Sequence, residues 1–186
     1  MDGPRIIDAR VLLEACPPAL EDQEKAYAFL RQSFSCYNSF HGVSVPDIQD
    51  SGEFGRTRSR VSNGEFAAWV GKLTSKPLSL YKVCTSCTAD EFTDWLERAG
   101  RLGCNNIILV GGDSSTKDYR DGALQVGAAA QLARNKGFDC GGIIIPTRRK
   151  QFVSRPASLD ETERLLVKVR EHGITFFSTQ ILYEGE

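Results

Sequence analysis

Histidine is nearly absent from this chain: His41 and His172 are the only two among 186 residues. So small a supply argues against a multi-histidine metal site. Neither sign of charge is in excess, with 23 Lys and Arg against 24 Asp and Glu and a net charge of −1. No global basic field therefore points to nucleic acid, and no acidic tail suggests a solvating arm. Apolar runs never approach the roughly 20 residues of a membrane span, and the opening MDGPRIIDAR lacks the apolar core of a signal peptide. The expectation is a soluble cytoplasmic protein with neither a nucleic-acid nor a membrane partner. A disulfide framework is missing as well: six cysteines at irregular spacing read as free thiols in a reducing compartment. Cys84-Thr85-Ser86-Cys87 has the spacing of half a zinc site or of a redox pair. No second CxxC or histidine pair completes a ligand set, so it reads as two small residues at a strand end, and no metal is expected.

What is present is a strict alternation of strand and helix, within 41% hydrophobic and 25% charged residues. RVLLEAC (10–16) predicts a strand stopped by Pro17-Pro18, and residues 21–34 a helix with Ala26, Phe29, Leu30 and Phe34 on one face. HGVSV (41–45) is a second strand, stopped by Pro46. After the loop DIQDSGEFGRTRS comes a helix near 62–73 carrying Phe66, Trp69, Val70 and Leu73. LSLYKVC (78–84) is the third strand, and Thr88-Ala-Asp-Glu91 is a capping box opening a helix with Phe92, Trp95, Leu96, Ala99 and Leu102. NIILVGG (106–112) is the fourth strand, followed by an alanine-rich helix to about Lys136 with Gly137 just past its end. GGIIIP (141–146) is the fifth; Ser158-Leu-Asp-Glu161 caps a helix ending at Gly173, and a sixth strand runs from Ile174 to Tyr183. No linker or low-complexity tract divides the chain, so residues 1–186 read as one domain. Strands apolar on both faces suit a parallel sheet covered by helices, either a (β/α) barrel or an open doubly wound sheet.

The polar residues favour the barrel. Glu14 falls near the end of the first strand, Asp113 after the fourth, Thr147-Arg148-Arg149-Lys150 after the fifth, and Gln180 late in the sixth. Parallel βα units put all strand C-ends on one face, so these groups are expected to converge there, as in a barrel active site. A dinucleotide fold would show G-x-G-x-x-G after the first strand, where CPPALE stands, and no G-x-x-x-x-G-K-[ST] occurs. Glu14 is either a solvent-facing strand end or, desolvated by its leucines and prolines, a general acid with a raised pKa. Asp113 either caps a turn or puts charge beside a bound ring, with Gly111 and Gly112 allowing close backbone approach. Arg148 and its neighbours are either a solvated face or a grip on an anionic tail or phosphate. Gln180, an amide in an apolar strand, must be hydrogen-bonded, and its donor and acceptor match the edge of a heterocycle such as a pterin.

At these residues the chain resembles the methylenetetrahydrofolate reductase family. LLEACPP is similar to the family's Glu-then-Pro-Pro motif, VSVPDIQDSGEFGRT to its second-strand segment, IILVGGD to its Arg-Gly-Asp segment, and GITFFSTQILYE to its Thr-Gln motif. The resemblance implies a (β/α)8 barrel in which Glu14 protonates the folate, Asp113 faces flavin and folate, and Gln180 binds the folate. It puts Tyr81 at the family's third-strand His and Gly111 at the Arg before Gly-Asp. Pro46 takes the place of a Thr, and Ile145-Pro146-Thr147 that of Tyr-Pro-Glu. Most of these departures fall on flavin positions, and IIIPTR and STQILY look closer to a divergent, flavin-independent branch. The implied activity is NAD(P)H-dependent reduction of 5,10-methylene- to 5-methyltetrahydrofolate in one-carbon metabolism. Catalytic roles fall to Glu14 and Asp113; Gln180, Asp113, Thr147 and Arg148 take the folate substrate, and Tyr81, Gly112 and Asp113 take the place of the FAD contacts. The rival class is a non-catalytic folate-binding or methyl-transfer module, or an inactive fragment. Six strands and five helices fall short of a (β/α)8 barrel, which typically has about 250 residues. The expectation is thus an incomplete barrel, with a homo-oligomer or partner chain completing the sheet.

Overall fold

The computed structural model describes residues 11–37, 39–48, 59–111, 121–145 and 157–179, the side chains of 157–160 excepted. Among these the order is β1 (Leu12–Glu14), α1 (Gln23–Cys36), β2 (Gly42–Val45), α2 (Asn63–Thr74), β3 (Leu78–Val83), α3 (Ala89–Arg101), β4 (Asn106–Val110), α4 (Val126–Asn135), β5 (Asp139–Ile144), α5 (Ala157–Arg170) and β6 (Phe176–Thr179). The sheet order is β1-β2-β3-β4-β5-β6, and the registered pairs β1–β2, β4–β5 and β5–β6 are parallel. Six strands in chain order with five helices make an incomplete fold of the (β/α) barrel type. No described helix is long and apolar enough to cross a membrane. The chain packs as two units, residues 1–79 and 80–186.

In the first unit β1 is shorter than its apolar run suggests. Its ladder pairs Leu12 with Gly42, Leu13 with Val43 and Glu14 with Ser44, and one more bond, Ala15 N–H to Ser44 O at 2.9 Å, precedes Pro17-Pro18, which cannot donate. His41 closes the other end, accepting from the Val11 N–H on Nδ1 at 3.0 Å. Helix α1 starts two residues later than expected, behind a 3-10 turn at Leu20–Asp22. Phe29, expected on its buried face, is 68% exposed. Tyr27 packs instead, stacking on Trp69 of α2 with centroids 3.9 Å apart. Helix α2 is capped by Ser62, whose Oγ accepts from the Glu65 N–H at 3.3 Å; it buries Phe66, Ala67 and Val70 but leaves Leu73 exposed.

In the second unit the Thr88 capping box forms as expected, with the Glu91 N–H donating to Thr88 Oγ1 and the Thr88 N–H to Glu91 Oε2. Helix α3 then buries Phe92, Trp95, Leu96 and Ala99, while Leu102 stands exposed past its end. Gly137, just past α4, has φ +83°, the left-handed conformation glycine takes at little cost. The cap expected at Ser158 is not found: α5 already contains Ala157. Glu161 is buried instead, and its Oε1 accepts from the Ile145 N–H at 2.9 Å, tying α5 to the end of β5. Helix α5 ends at Arg170, before Gly173, and β6 is described only from Phe176.

Side-chain alternation assigns the faces of this sheet. Cys140 Sγ lies 3.8 Å from Ala130 O of α4, so Cys140 and its register partner Ile107 face the helices. Gly141 and Ile143 therefore face the other way, with partners Phe176 and Ser178. A Cβ on Gly141 would run into the Phe176 ring, which explains the glycine.

All six cysteines are free, and Cys84, Cys87, Cys104 and Cys140 are buried. Burial pushes the Cys104 and Cys140 thiols up to about 11. An unfolded thiol ionises near about 8.5, so between the two values the folded chain holds protons that the unfolded chain has released. Stability falls as pH rises there: this contribution is complete below about pH 8.5 and disappears as pH passes about 11. Urea unfolding midpoints should drop more steeply between about pH 7 and 10 for the wild type than for a Cys104→Ala/Cys140→Ala variant. Equal drops would clear these two thiols.

Candidate functional site

The first unit presents a strand end. Glu14 is the last residue of β1 and the only ionisable side chain on β1 or β2. Its register partner Ser44 is buried, whereas Glu14 is exposed. The desolvation expected from neighbouring leucines and prolines is not found. Alternation turns Leu13 and Ala15 away from the carboxyl, and Pro17 and Pro18 are buried within the turn beyond. Cys16, two residues on, shares Glu14's face, with Sγ 4.0 Å from Glu14 Oε1. The turn beyond it is clipped antiparallel to the segment leading into α2. Leu20 N–H donates to Ser59 O at 2.9 Å and Val61 N–H to Pro18 O at 3.1 Å, around an Ala19–Arg60 bridge. Arg60 Nη1 also donates to Pro17 O at 3.1 Å, which fixes a guanidinium at this strand end.

The second unit presents an inner face. Tyr81 on β3 is half-buried, and its hydroxyl lies 2.8 Å from Ser178 Oγ on β6. With β4 and β5 between them in the sheet, two such side chains meet only if the sheet curls toward them. Adjacent strands are about 4.8 Å apart, so a flat sheet would hold β3 and β6 about 14 Å apart. Tyr81 therefore sits on the inner face, and Lys82 on the outer. Lys82 Nζ lies over the Trp95 ring of α3, 5.8 Å from its centroid. Lys82 is the only lysine on a described strand, so no described strand carries an amine on the inner face.

Of the residues expected to form the site, Glu14 and Tyr81 are described, each in its own unit. Gly112, Asp113, Thr147, Arg148 and Gln180 lie outside the described residues. Sequence reasoning missed Ser178, Cys16 and Arg60. Ser178 had a signal, since hydroxyls at alternate positions in otherwise apolar strands are candidates for one polar face. Cys16 had one too, two residues from Glu14; Arg60's place depends on a clip that no local pattern announces.

The histidines stand elsewhere. His41 holds the start of β1, and the His172 ring occupies the space a Cβ on Gly127 would need. A cavity of about 680 Å³ lies beside it, along α4, lined by Gln125, Gln131, Arg134 and Glu171 among others. Among the described residues no group of three or more His, Cys, Asp or Glu could hold a metal ion.

No protein-family model matches the chain, and no curated protein does. Solved structures do. The 4-hydroxy-tetrahydrodipicolinate synthase of Methylacidiphilum fumariolicum SolV superposes with a TM-score of 0.55 at 14% identity, covering 92% of this chain and 54% of the synthase. A chain from Coccidioides immitis provisionally assigned as a deoxyribose-phosphate aldolase gives 0.53 at 12% identity, covering 95% and 61%. A monomeric dihydrodipicolinate synthase variant gives 0.53 at 10% identity, covering 91% and 53%. The chain thus spans little more than half the length of these neighbours, and identities this low establish the barrel-type fold alone.

If the Tyr81–Ser178 bond carries the curl, Tyr81→Phe and Ser178→Ala should each lower unfolding free energy by about 0.5–1.5 kcal/mol. The double variant should cost little more than either single one, because both remove the same bond. Fully additive urea unfolding energies would show the two hydroxyls to be independent.

Proposed function

We propose that the chain belongs to an NAD(P)H-dependent reductase acting on 5,10-methylenetetrahydrofolate, with Glu14 as the proton donor. What supports the reading is the position of Glu14, the lone carboxyl at the C-terminal end of β1 in a barrel-type sheet, the end where such folds do chemistry. In the reaction, methylenetetrahydrofolate, NAD(P)H and a proton give 5-methyltetrahydrofolate and NAD(P)+. Glu14 gives its proton to the bridge nitrogen as the carbon–nitrogen bond opens to an iminium, and hydride from the nicotinamide then reduces that carbon. Gln180 and Asp113 are assigned to the pterin, and Thr147 and Arg148 to the remainder of the folate. Of Tyr81, Gly112 and Asp113, which take the place of the FAD contacts, Tyr81 is described, and its hydroxyl is engaged by Ser178. Gly112 and Asp113 lie outside the described residues.

The aldolase-type chemistry named for one structural neighbour is not carried over. At 12% identity that neighbour establishes the fold alone. A second reading is favoured by the exposure of Glu14, since a general acid gains from desolvation. On that reading the chain binds folate without turning it over.

Glu14→Gln should lower the reduction rate by about 10²–10⁴-fold, with folate binding largely kept. A variant within a few-fold of wild type would remove Glu14 from the mechanism. The visible absorption of the purified protein separates the hydride routes: reductase activity without flavin bands means direct transfer from the nicotinamide. Folate binding with no NAD(P)H oxidation at all would establish the second reading.

Gln180→Leu should weaken folate binding by about 1–3 kcal/mol, through loss of hydrogen bonds in a desolvated site, while Gln180→Glu should do less harm. Normal affinity in Gln180→Leu, measured by calorimetric titration, would leave the amide a purely structural role.

A further inference from the structure

We propose that Cys16 is a positioning residue for Glu14, its thiol proton held toward the carboxylate at the end of β1 and the turn behind it locked by the Arg60 clip. Glu14 and Cys16 are two apart in extended chain, so their side chains lie on one face, and Sγ to Oε1 is 4.0 Å. A thiol is a weak donor and a carboxylate a strong acceptor, so the contact sets direction more than it adds energy. The backbone cannot slide out of this arrangement. The Ala15 N–H is tied to Ser44 O on one side of Cys16, and Pro17 O accepts from Arg60 Nη1 on the other.

The electrostatics agree. Partial burial of an otherwise exposed side chain first, and then the Glu14 charge, push the Cys16 thiol up, while Arg60 pulls the other way. The net direction keeps Cys16 as S–H, a donor rather than a thiolate. Among the described residues, Glu14 and Arg60 are the charged groups that act on it. The pair stands on this geometry; its part in catalysis rests on the reductase reading above.

One measurement tests the pair without any activity. Iodoacetamide labelling of Cys16, followed by peptide mass spectrometry as pH is varied, reads the thiol's ionisation. Cys36, also exposed and on α1 away from this turn, serves as internal control. In Glu14→Gln the Cys16 labelling curve should move to lower pH while that of Cys36 stays put. Identical Cys16 curves in the two proteins would overturn the proposal.

A second measurement tests the role. Loss of the donor disfavours the ionised carboxylate, so in Cys16→Ala the alkaline limb of the kcat profile should move to higher pH, and Cys16→Ser should return it toward wild type. An unmoved limb in an active Cys16→Ala enzyme would also overturn it. A chain with no reductase activity but a shifted labelling curve would confirm the pair and sink the reductase reading instead.

Discussion

The hydrogen bond between Tyr81 and Ser178 is the constraint on which the second unit turns. It joins β3 to β6 across two intervening strands at 2.8 Å, and no flat sheet allows that. Once the curl is given, the remaining residue choices follow. The concave side narrows, so Gly141 leaves room for the Phe176 ring. On the convex side Ala129, Ala130 and Ala133 are fully buried, and their small side chains let α4 approach until the Cys140 thiol meets the Ala130 carbonyl. A larger residue at Gly141 or Ala130 would be resisted from two directions, by the neighbouring strand and by the covering helix.

The first unit answers to a different constraint, imposed by proline. Pro17 and Pro18 end the β1 ladder because they have no N–H to give. The chain must satisfy its carbonyls some other way, and it does so by accepting from Val61 N–H and from the Arg60 guanidinium. Thus a backbone accounting problem places a cation at the strand end. The same turn explains why Glu14 is exposed. Glu14 is the last residue of a three-residue strand, and alternation turns Leu13 and Ala15 to the opposite face.

Much of this was legible in the sequence, because strand and helix periods and the Thr88–Glu91 capping box are local signals. The incomplete barrel type followed from counting βα units and noting strands apolar on both faces. The errors also have local causes. Phe29 sits at helical spacing with Ala26 and Leu30, yet the α1–α2 ring contacts are made by Tyr27, on Phe66 and Trp69. Ser158-Leu-Asp-Glu161 has the form of a cap, but the helix starts one residue earlier, and Glu161 serves the β5 end instead. The site was less legible than the fold, since Arg60 and Ser178 acquire meaning only through partners 43 and 97 residues away.

Exposure of Glu14 sets a condition on any mechanism that uses it. In the free protein the Glu14 carboxyl stands in solvent, where a general acid gains nothing from desolvation. Leu13 and Ala15 do not change this, because alternation points them to the opposite face. Cys16 does not change it either, since a thiol donor favours the charged form. The remaining source of desolvation is the ligand. A flat, largely apolar ring system laid over the strand end would remove water from Glu14 and favour its protonated form in the complex. On the reductase reading, acid catalysis at this position would thus be coupled to substrate binding, the proton becoming available only where there is a substrate to receive it.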